Sequence, residues 1–336
     1  MDALHSIRVW NLLPFTRFLE DIGAPVDRWL EASRISPDFL LNPNHWIPLR
    51  FALDFAERAA RAEGAETLGL DVGRRTAAEN LGPMGLRLGQ CPTLYDRAQT
   101  ASRLLTQFNN AARMWLTVEG EQVWLCERFN VDAGREMRHC EDFSLMLILE
   151  AVGRAAGPGW TPLEIHLPGT RSARFERDEL FQGVRLVYGS RDVRLVFSRD
   201  LLARPLAALP ARAAGTVQSP QARHDGPSPA DFVTSLECAV ESILSLGAPS
   251  VEDIADMADL SPRTLQRRLA EAGTSVREVI DHARFRLADE YLRQSTASIT
   301  DTAFLLGYSD STAFTRAFHR MTGVSPTAYR VRICDA

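Results

Sequence analysis

Ser250-Val-Glu-Asp253-Ile-Ala255, completed by Leu260-Ser261, returns as Ser298-Ile-Thr-Asp301-Thr-Ala303, completed by Tyr308-Ser309, at a constant offset of 48 residues. An amphipathic segment follows each copy: Pro262-Arg-Thr-Leu-Gln-Arg-Arg-Leu-Ala270 in the first and Asp310-Ser-Thr-Ala-Phe-Thr-Arg-Ala-Phe318 in the second. Ser250 and Ser298 are expected to cap a helix, with Asp253 and Asp301 near the positive end of its dipole. Ala255 and Ala303 keep the helix face narrow where a second helix must cross. Gly307 falls at the turn between the two helices, where a left-handed backbone is often needed. Asp259 takes the matching place in the first copy, as a tolerated substitute. Ser261 then caps the next helix, and Pro262 fills its first position, where a missing N–H does little harm. One helix-turn-helix is thus written twice.

The apolar positions decide which side of each second helix is buried. Leu265 and Leu269 point inward in the first copy, so Arg263, Gln266 and Arg267 fall outward. A one-residue insertion aligns Phe314 with Leu265 and Phe318 with Leu269, and Ser311, Thr312, Thr315 and Arg316 then face outward. Arg can fork onto guanine O6 and N7, and Gln onto adenine N6 and N7. The first helix is therefore expected to discriminate bases, and the second, with short side chains apart from Arg316, mostly to position. Between the copies, Val276 to Arg293 carries Val279, Ile280, Ala283, Phe285, Leu287, Ala288, Tyr291 and Leu292, the pattern of a long joining helix. A rigid joint lets both readers enter major-groove segments one DNA turn, about 34 Å, apart. A plain helical bundle with surface arginines would explain either copy alone; the repeat, the repeated caps and the matched turn together argue against it.

The chain has 336 residues, 45% hydrophobic and 24% charged, the profile of about two soluble domains. Its net charge of −5 is unevenly spread: Glu237, Glu241, Glu252, Asp253, Asp256 and Asp259 all precede Ser261. From Ser261 onward eleven Arg face eight Asp and Glu, and the chain has no Lys. What matters for a nucleic-acid ligand is where charge sits, not its sum. The five cysteines (Cys91, Cys126, Cys140, Cys238, Cys334) form no C-x-x-C pair, which argues against a disulfide framework or structural zinc. Neither a secretory signal nor an apolar run of roughly 18 residues is visible, so a cytoplasmic protein with no membrane span is expected.

The stretch from Ala203 to Ala230, rich in Pro and Gly, reads as a linker. The expected domains are 1–205, an effector-binding and dimerisation domain; 206–230, a linker; and 231–336, an all-α DNA-binding domain of two helix-turn-helix units joined by a long helix. The first domain is expected to be α+β. Apolar stripes at Trp10, Leu13, Phe18 and Leu19, at Val26, Leu30 and Ile35, and at Phe51, Leu53, Phe55 and Ala59 predict helices. Met114–Val118 and Val123–Cys126 around a Gly-containing turn predict a hairpin. A helix over Phe143–Ala156 and strands over Leu163–Leu167 and Val193–Phe197 complete the expectation.

Residues 231–336 resemble the DNA-binding domain of the AraC/XylS family of bacterial transcription regulators. The resemblance rests on Leu260-Ser-Pro-Arg-Thr-Leu-Gln-Arg-Arg-Leu269 and Ile299-Thr-Asp-Thr-Ala-Phe-Leu-Leu-Gly-Tyr308. It rests above all on Phe314-Thr-Arg-Ala-Phe-His-Arg-Met-Thr-Gly-Val-Ser-Pro-Thr-Ala-Tyr-Arg330. It implies base contacts on both reading helices, from Arg263, Gln266, Arg267, Ser311, Thr312 and Arg316; Ser311 and Thr312 depart from the residues commoner there. Asn42-Pro-Asn-His-Trp-Ile-Pro-Leu49, Leu68-Gly-Leu-Asp-Val-Gly73, Leu81-Gly-Pro-Met-Gly85 and Pro92-Thr-Leu-Tyr-Asp-Arg97 are similar to the arabinose-binding-like amino-terminal domain of a subgroup that includes ornithine-utilisation regulators. That resemblance implies sensing of a small molecule without naming it.

From residue chemistry, Trp115, Trp124, Phe129, Arg138, His139 and Phe143 are candidates for an apolar effector pocket with a few polar groups; ordinary core aromatics with a solvated Arg-His pair are the plainer reading. Arg171, Arg174, Arg177, Arg185, Arg191 and Arg194 suggest an anion site, against a solvated loop. No catalytic motif stands out, so an enzyme is not expected, nor a cofactor or metal. The expected partners are promoter DNA, a small-molecule effector, RNA polymerase and a second copy of the chain. The alternative is a constitutive DNA-binding regulator whose first domain only dimerises.

Overall fold

The computed structural model describes residues 3–77, 80–131, 137–206, 229, 231–293 and 298–334. Most of the expected 206–230 linker lies outside them. Two compact units emerge. One comprises Ile7–Trp29 and Ala52–Ser228; the other joins Leu30–Phe51 to Pro229–Ala336 and the first residues of the chain.

The first unit is α+β, as its sequence predicts. Along the chain from its amino end come β1 (Ser6–Arg8), α1 (Leu13–Asp21), α2 (Val26–Ala32), β2 (Trp46–Pro48, in the Leu30–Phe51 segment of the other unit), α3 (Leu49–Ala62), α4 (Leu68–Arg75), α5 (Gly82–Gly89) and α6 (Leu94–Leu104). Then come β3 (Ala112–Glu119), β4 (Gln122–Phe129), α7 (Arg138–Ala156), β5 (Glu164–Leu167), α8 (Ala173–Glu176), β6 (Arg185–Tyr188) and β7 (Val193–Ser198). The five strands β3 to β7 form one sheet in the order β3-β4-β7-β5-β6, antiparallel except for β5 beside β6. Strand alternation sends Val123, Leu125, Ile165, Leu167, Val193, Leu195 and Phe197 to one face. There they form the core with Leu145, Met146, Ile148, Leu149 and Val152 of α7. The edge strand β6 was not foreseen: four residues with none buried leave no alternation to read.

Two glycines explain the Leu68–Gly73 motif. A Cβ on Gly69 would lie 2.3 Å from the main-chain oxygen of His139, and one on Gly73 would lie 2.5 Å from Cβ of Met146. Glycine at this spacing lets α4 lie backbone-close against α7, where any larger residue would force the helices apart.

The second unit holds α9 (Phe232–Glu241), α10 (Val251–Met257), α11 (Pro262–Glu271), α12 (Val276–Arg293), α13 (Ile299–Leu305), α14 (Ser311–Thr322) and α15 (Pro326–Cys334). The long joining helix falls where the sequence places it. The membership of Leu30–Phe51 departs from the boundary expected at residue 205. Ile35, Phe39, Trp46 and Ile47 of this segment are buried, and β2 packs against α9. The amide of Leu4 donates to Ser235 Oγ at 2.8 Å. Burial of apolar side chains selects the partner, and a boundary read from Pro and Gly content cannot see it.

Candidate nucleic-acid interface

Both copies of the repeat fold through the same local chemistry. Ser250 and Ser298 each accept the amide of the Asp three residues on, and that Asp accepts the amide of its Ser, a reciprocal capping box. The carboxyls of Asp253 and Asp301 are held below the usual carboxylate range, chiefly by their serine hydroxyls. Asp259 and Gly307 occupy the two turns with φ of 53° and 74°. Ser261 caps α11 by accepting the amide of Thr264, with Pro262 next to it. In the second copy the cap is Asp310, which accepts from Ala313. That accounts for the insertion: the capping position moves from Ser309, the equivalent of Ser261, to the following residue. A cap-forming Asp immediately before Ser311 was the overlooked signal.

Ala255, Ala303, Leu265, Leu269, Phe314 and Phe318 are all buried. Their burial leaves Arg263, Gln266 and Arg267 exposed on α11, and Thr312 and Arg316 exposed on α14; Ser311 and Thr315 are half-buried. Thr315 Oγ1 donates to the main-chain oxygen of Ser311 at 2.8 Å. Its hydroxyl proton is thereby engaged, so it has no donor left for a base acceptor. Arg267 lies 3.8 Å from Glu271, a loose pair with the arginine 70% exposed.

The second reader is buttressed by aromatic rings. Phe318 meets Phe314, Phe285 of α12 and Tyr329 of α15 at centroid distances of 5.6, 6.0 and 5.3 Å. Tyr329 donates to Asp289 at 2.9 Å, and the Arg284 guanidinium sits 4.9 Å from the Tyr308 ring centroid. These supports were not anticipated, since α12 reads simply as an apolar helix. On α12 Arg286 pairs with the buried Glu241 of α9 at 3.1 Å.

The six candidates for an effector pocket do not converge. Trp115 and Trp124 lie on the sheet face opposite α7, in register with Cys126 and Val196 respectively. Arg128 stacks over Trp115 at 5.5 Å, and Trp124 packs on His166 at 5.1 Å. Phe129 ends β4, and Phe143 packs on Phe15 at 5.1 Å. Arg138 and His139 do meet, around Glu57: the Arg138 guanidinium reaches it at 3.1 Å and His139 Nε2 at 3.5 Å. Burial pushes His139 down to about 4, so the ring is neutral, and its Nδ1 accepts the Gly69 amide at 3.3 Å. Alternation along the hairpin separates the tryptophans from α7.

The candidate anion-site arginines are likewise dispersed. Arg174 forks onto the buried Asp142 at 2.9 and 3.1 Å, Arg171 pairs with Glu176, Arg185 with Glu164 and Arg194 with Asp192. Arg138, Arg174 and Arg177 do line a common cleft of about 850 Å³ with Thr67, Arg74 and Ser172. Among the described residues no group of His, Cys, Asp and Glu could hold a metal ion, and no helix is long and apolar enough to cross a membrane.

Comparison with known proteins agrees with this geometry. A profile described as the arabinose-binding domain of AraC transcription regulator, N-term, matches residues 23–206, and a helix-turn-helix domain profile matches residues 254–332. The chain is 25% identical to the HTH-type transcriptional regulator VirS of Mycobacterium tuberculosis over 341 residues, 98% of each chain. It is 40% identical to the ornithine utilization regulator of Pseudomonas aeruginosa, but over 82 residues and 24% of each chain. That is too little to place it in the ornithine subgroup. The crystal structure of the transcriptional regulator CdpR from Pseudomonas aeruginosa aligns over 91% of this chain and 96% of its own, at 21% identity and a TM-score of 0.38.

Proposed function

We propose, starting from the fact that the chain belongs to the AraC family of transcription regulators, that a small-molecule effector held by its amino-terminal region modulates its binding to promoter DNA. The chain is a DNA-binding regulator, not an enzyme. Base reading is assigned to Arg263, Gln266 and Arg267 of α11, and mainly positioning to Ser311, Thr312, Thr315 and Arg316 of α14. The observation that supports this is the pair of polar helix faces, each set outward by the same capping box and left-handed turn. A homodimer that engages RNA polymerase completes the reading. The cleft bearing Arg138, Arg174 and Arg177 is the effector site we favour, because it is the place where candidate polar groups face a common space. An effector acts only through a difference in affinity for two states of the protein.

Two measurements test the reading. Footprinting of the DNA upstream of its own gene should reveal a protected site spanning two adjacent major-groove segments. Thermal unfolding against a metabolite library should reveal a compound that raises the midpoint and changes that footprint. A footprint indifferent to every compound would favour a first unit that serves only for dimerisation.

A further inference from the structure

We propose that Leu30–Phe51, which in sequence belongs to the amino-terminal region, is a strap that positions the first reading helix. The second reader is braced from outside its own helix pair by Tyr329 of α15 and Phe285 of α12. Among the described residues the first has no such cluster of stacked rings; Arg268 of α11 lies over the Phe232 ring of α9 at 5.6 Å, and the strap supplies the rest of its brace. Buried Phe39, Trp46 and Ile47 seat the strap in the second unit, with β2 on α9. Two polar anchorages then fix it to the frame of the first reader.

One anchorage is on α12, where His45 Nε2 lies 2.9 Å from the Glu290 carboxylate and Asn42 donates to the same carboxylate. His45 is itself 7% exposed and stacked on Phe39 at 4.2 Å, so it is held as well as paired. The other is on α10, the helix that leads into the reader. Arg34 pairs with Asp256 at 2.7 Å, and Arg50 reaches both the carboxylate and the main-chain oxygen of the same residue. That oxygen belongs to the last turn of α10 and also accepts the amide of Asp259 at 3.1 Å, so the guanidinium shares its acceptor with the turn itself. Three residues further on, Asp259 makes the left-handed turn that aims α11. Holding Asp256 therefore holds the start of the turn and, through it, the direction of Arg263, Gln266 and Arg267.

The test uses the full chain and a duplex that this chain itself recovers from a random-sequence library, with affinity read by fluorescence anisotropy at fixed salt. The half contacted by α11 is located with Arg267→Ala. Charge makes the comparison decisive: Arg34→Ala/Arg50→Ala removes positive charge, whereas Asp256→Asn removes negative charge. If the strap positions the reader, both variants weaken binding in the same direction, about two- to fivefold for exposed pairs. Both also reduce the penalty for base changes in the half contacted by α11 and leave the other half as it was. If these side chains act only through the general field, Asp256→Asn strengthens binding, the arginine variant weakens it and discrimination stays intact; that result overturns the proposal. Asn42→Ala/His45→Ala breaks the anchorage on α12 and carries the same expectation should the arginine variant fail to fold. Hydrogen exchange over residues 30–51 confirms loosening, and a looser strap with unchanged affinity and discrimination also overturns it. A chain that recovers no duplex at all would instead sink the DNA-binding reading.

Discussion

Arg267 projects from α11 with 70% of its side chain exposed and only a loose pairing to Glu271. Little holds it back from a base edge. Arg267→Ala should weaken binding to the specific site by about 1–3 kcal/mol and relax base preference at one position. An equal loss on random DNA, measured by competition, would make Arg267 a phosphate contact. A buried acid gives a second test at this scale. Glu127 of β4 is 2% exposed. Burial pushes it up to about 7 despite the Ser144 hydroxyl that donates to it, and Glu141 adds repulsion. Between the unfolded value of 4.5 and the folded value of about 7, the native state holds a proton that the unfolded state has lost. Stability from this group is therefore present at low pH, falls as pH rises through that window and stays low above it. Relative to Glu127→Gln, the wild-type chain should lose about 3 kcal/mol between pH 4 and pH 8. Urea midpoints of the two proteins that stay parallel across pH would contradict this.

At the scale of elements, the two turns obey one rule with different tolerance. Both need a left-handed residue, yet a Cβ on Gly307 would also lie 2.4 Å from the main-chain oxygen of Leu244. Asp259 is exposed at its turn. Gly307→Ala should therefore destabilise by about 2 kcal/mol or more, while Asp259→Gly stays within about 1 kcal/mol. Chemical denaturation of the two variants decides it; equal effects would mean that the carbonyl contact is immaterial. Capping and turn chemistry is local, which is why α10 to α14 could be read from residue types at fixed spacing. The hairpin and α7 were legible for the same reason, through alternation and apolar periodicity. The effector pocket was not: whether Trp124 faces α7 depends on strand parity and on which sheet face is covered, and neither is written in a cluster of nearby aromatics. Chain proximity grouped residues that the pleat divides.

At the scale of the whole molecule, the sequence places the last hundred residues in one DNA-binding body but cannot show that Leu30–Phe51 joins it, since Phe39 and Trp46 would be buried equally well elsewhere. Charge is more informative. Of the eleven arginines after Ser261, Arg286 and Arg293 are tied to Glu241 and Asp289, Arg284 stacks on Tyr308, Arg268 lies over Phe232, and Arg330 is half-buried and engaged within the protein. Arg263, Arg316, Arg320 and Arg332 carry no ion pair among the described residues, and Arg267 and Arg277 have loose ones at 3.8 and 3.9 Å. Those six set the limit on phosphates that one chain can neutralise with this domain. Each phosphate contributes a slope of about −0.9 to log K against log salt, so the slope per chain should be no steeper than about −5. Titrations of the selected duplex from low to moderate salt measure it directly. A slope twice as steep would mean that arginines now tied to carboxylates are released onto the DNA, and α12 could not then keep its pairings to α9 in the complex. A slope within the limit, in a chain whose net charge is −5, would mean that affinity comes from two narrow basic faces and that the acidic remainder repels indiscriminate contact.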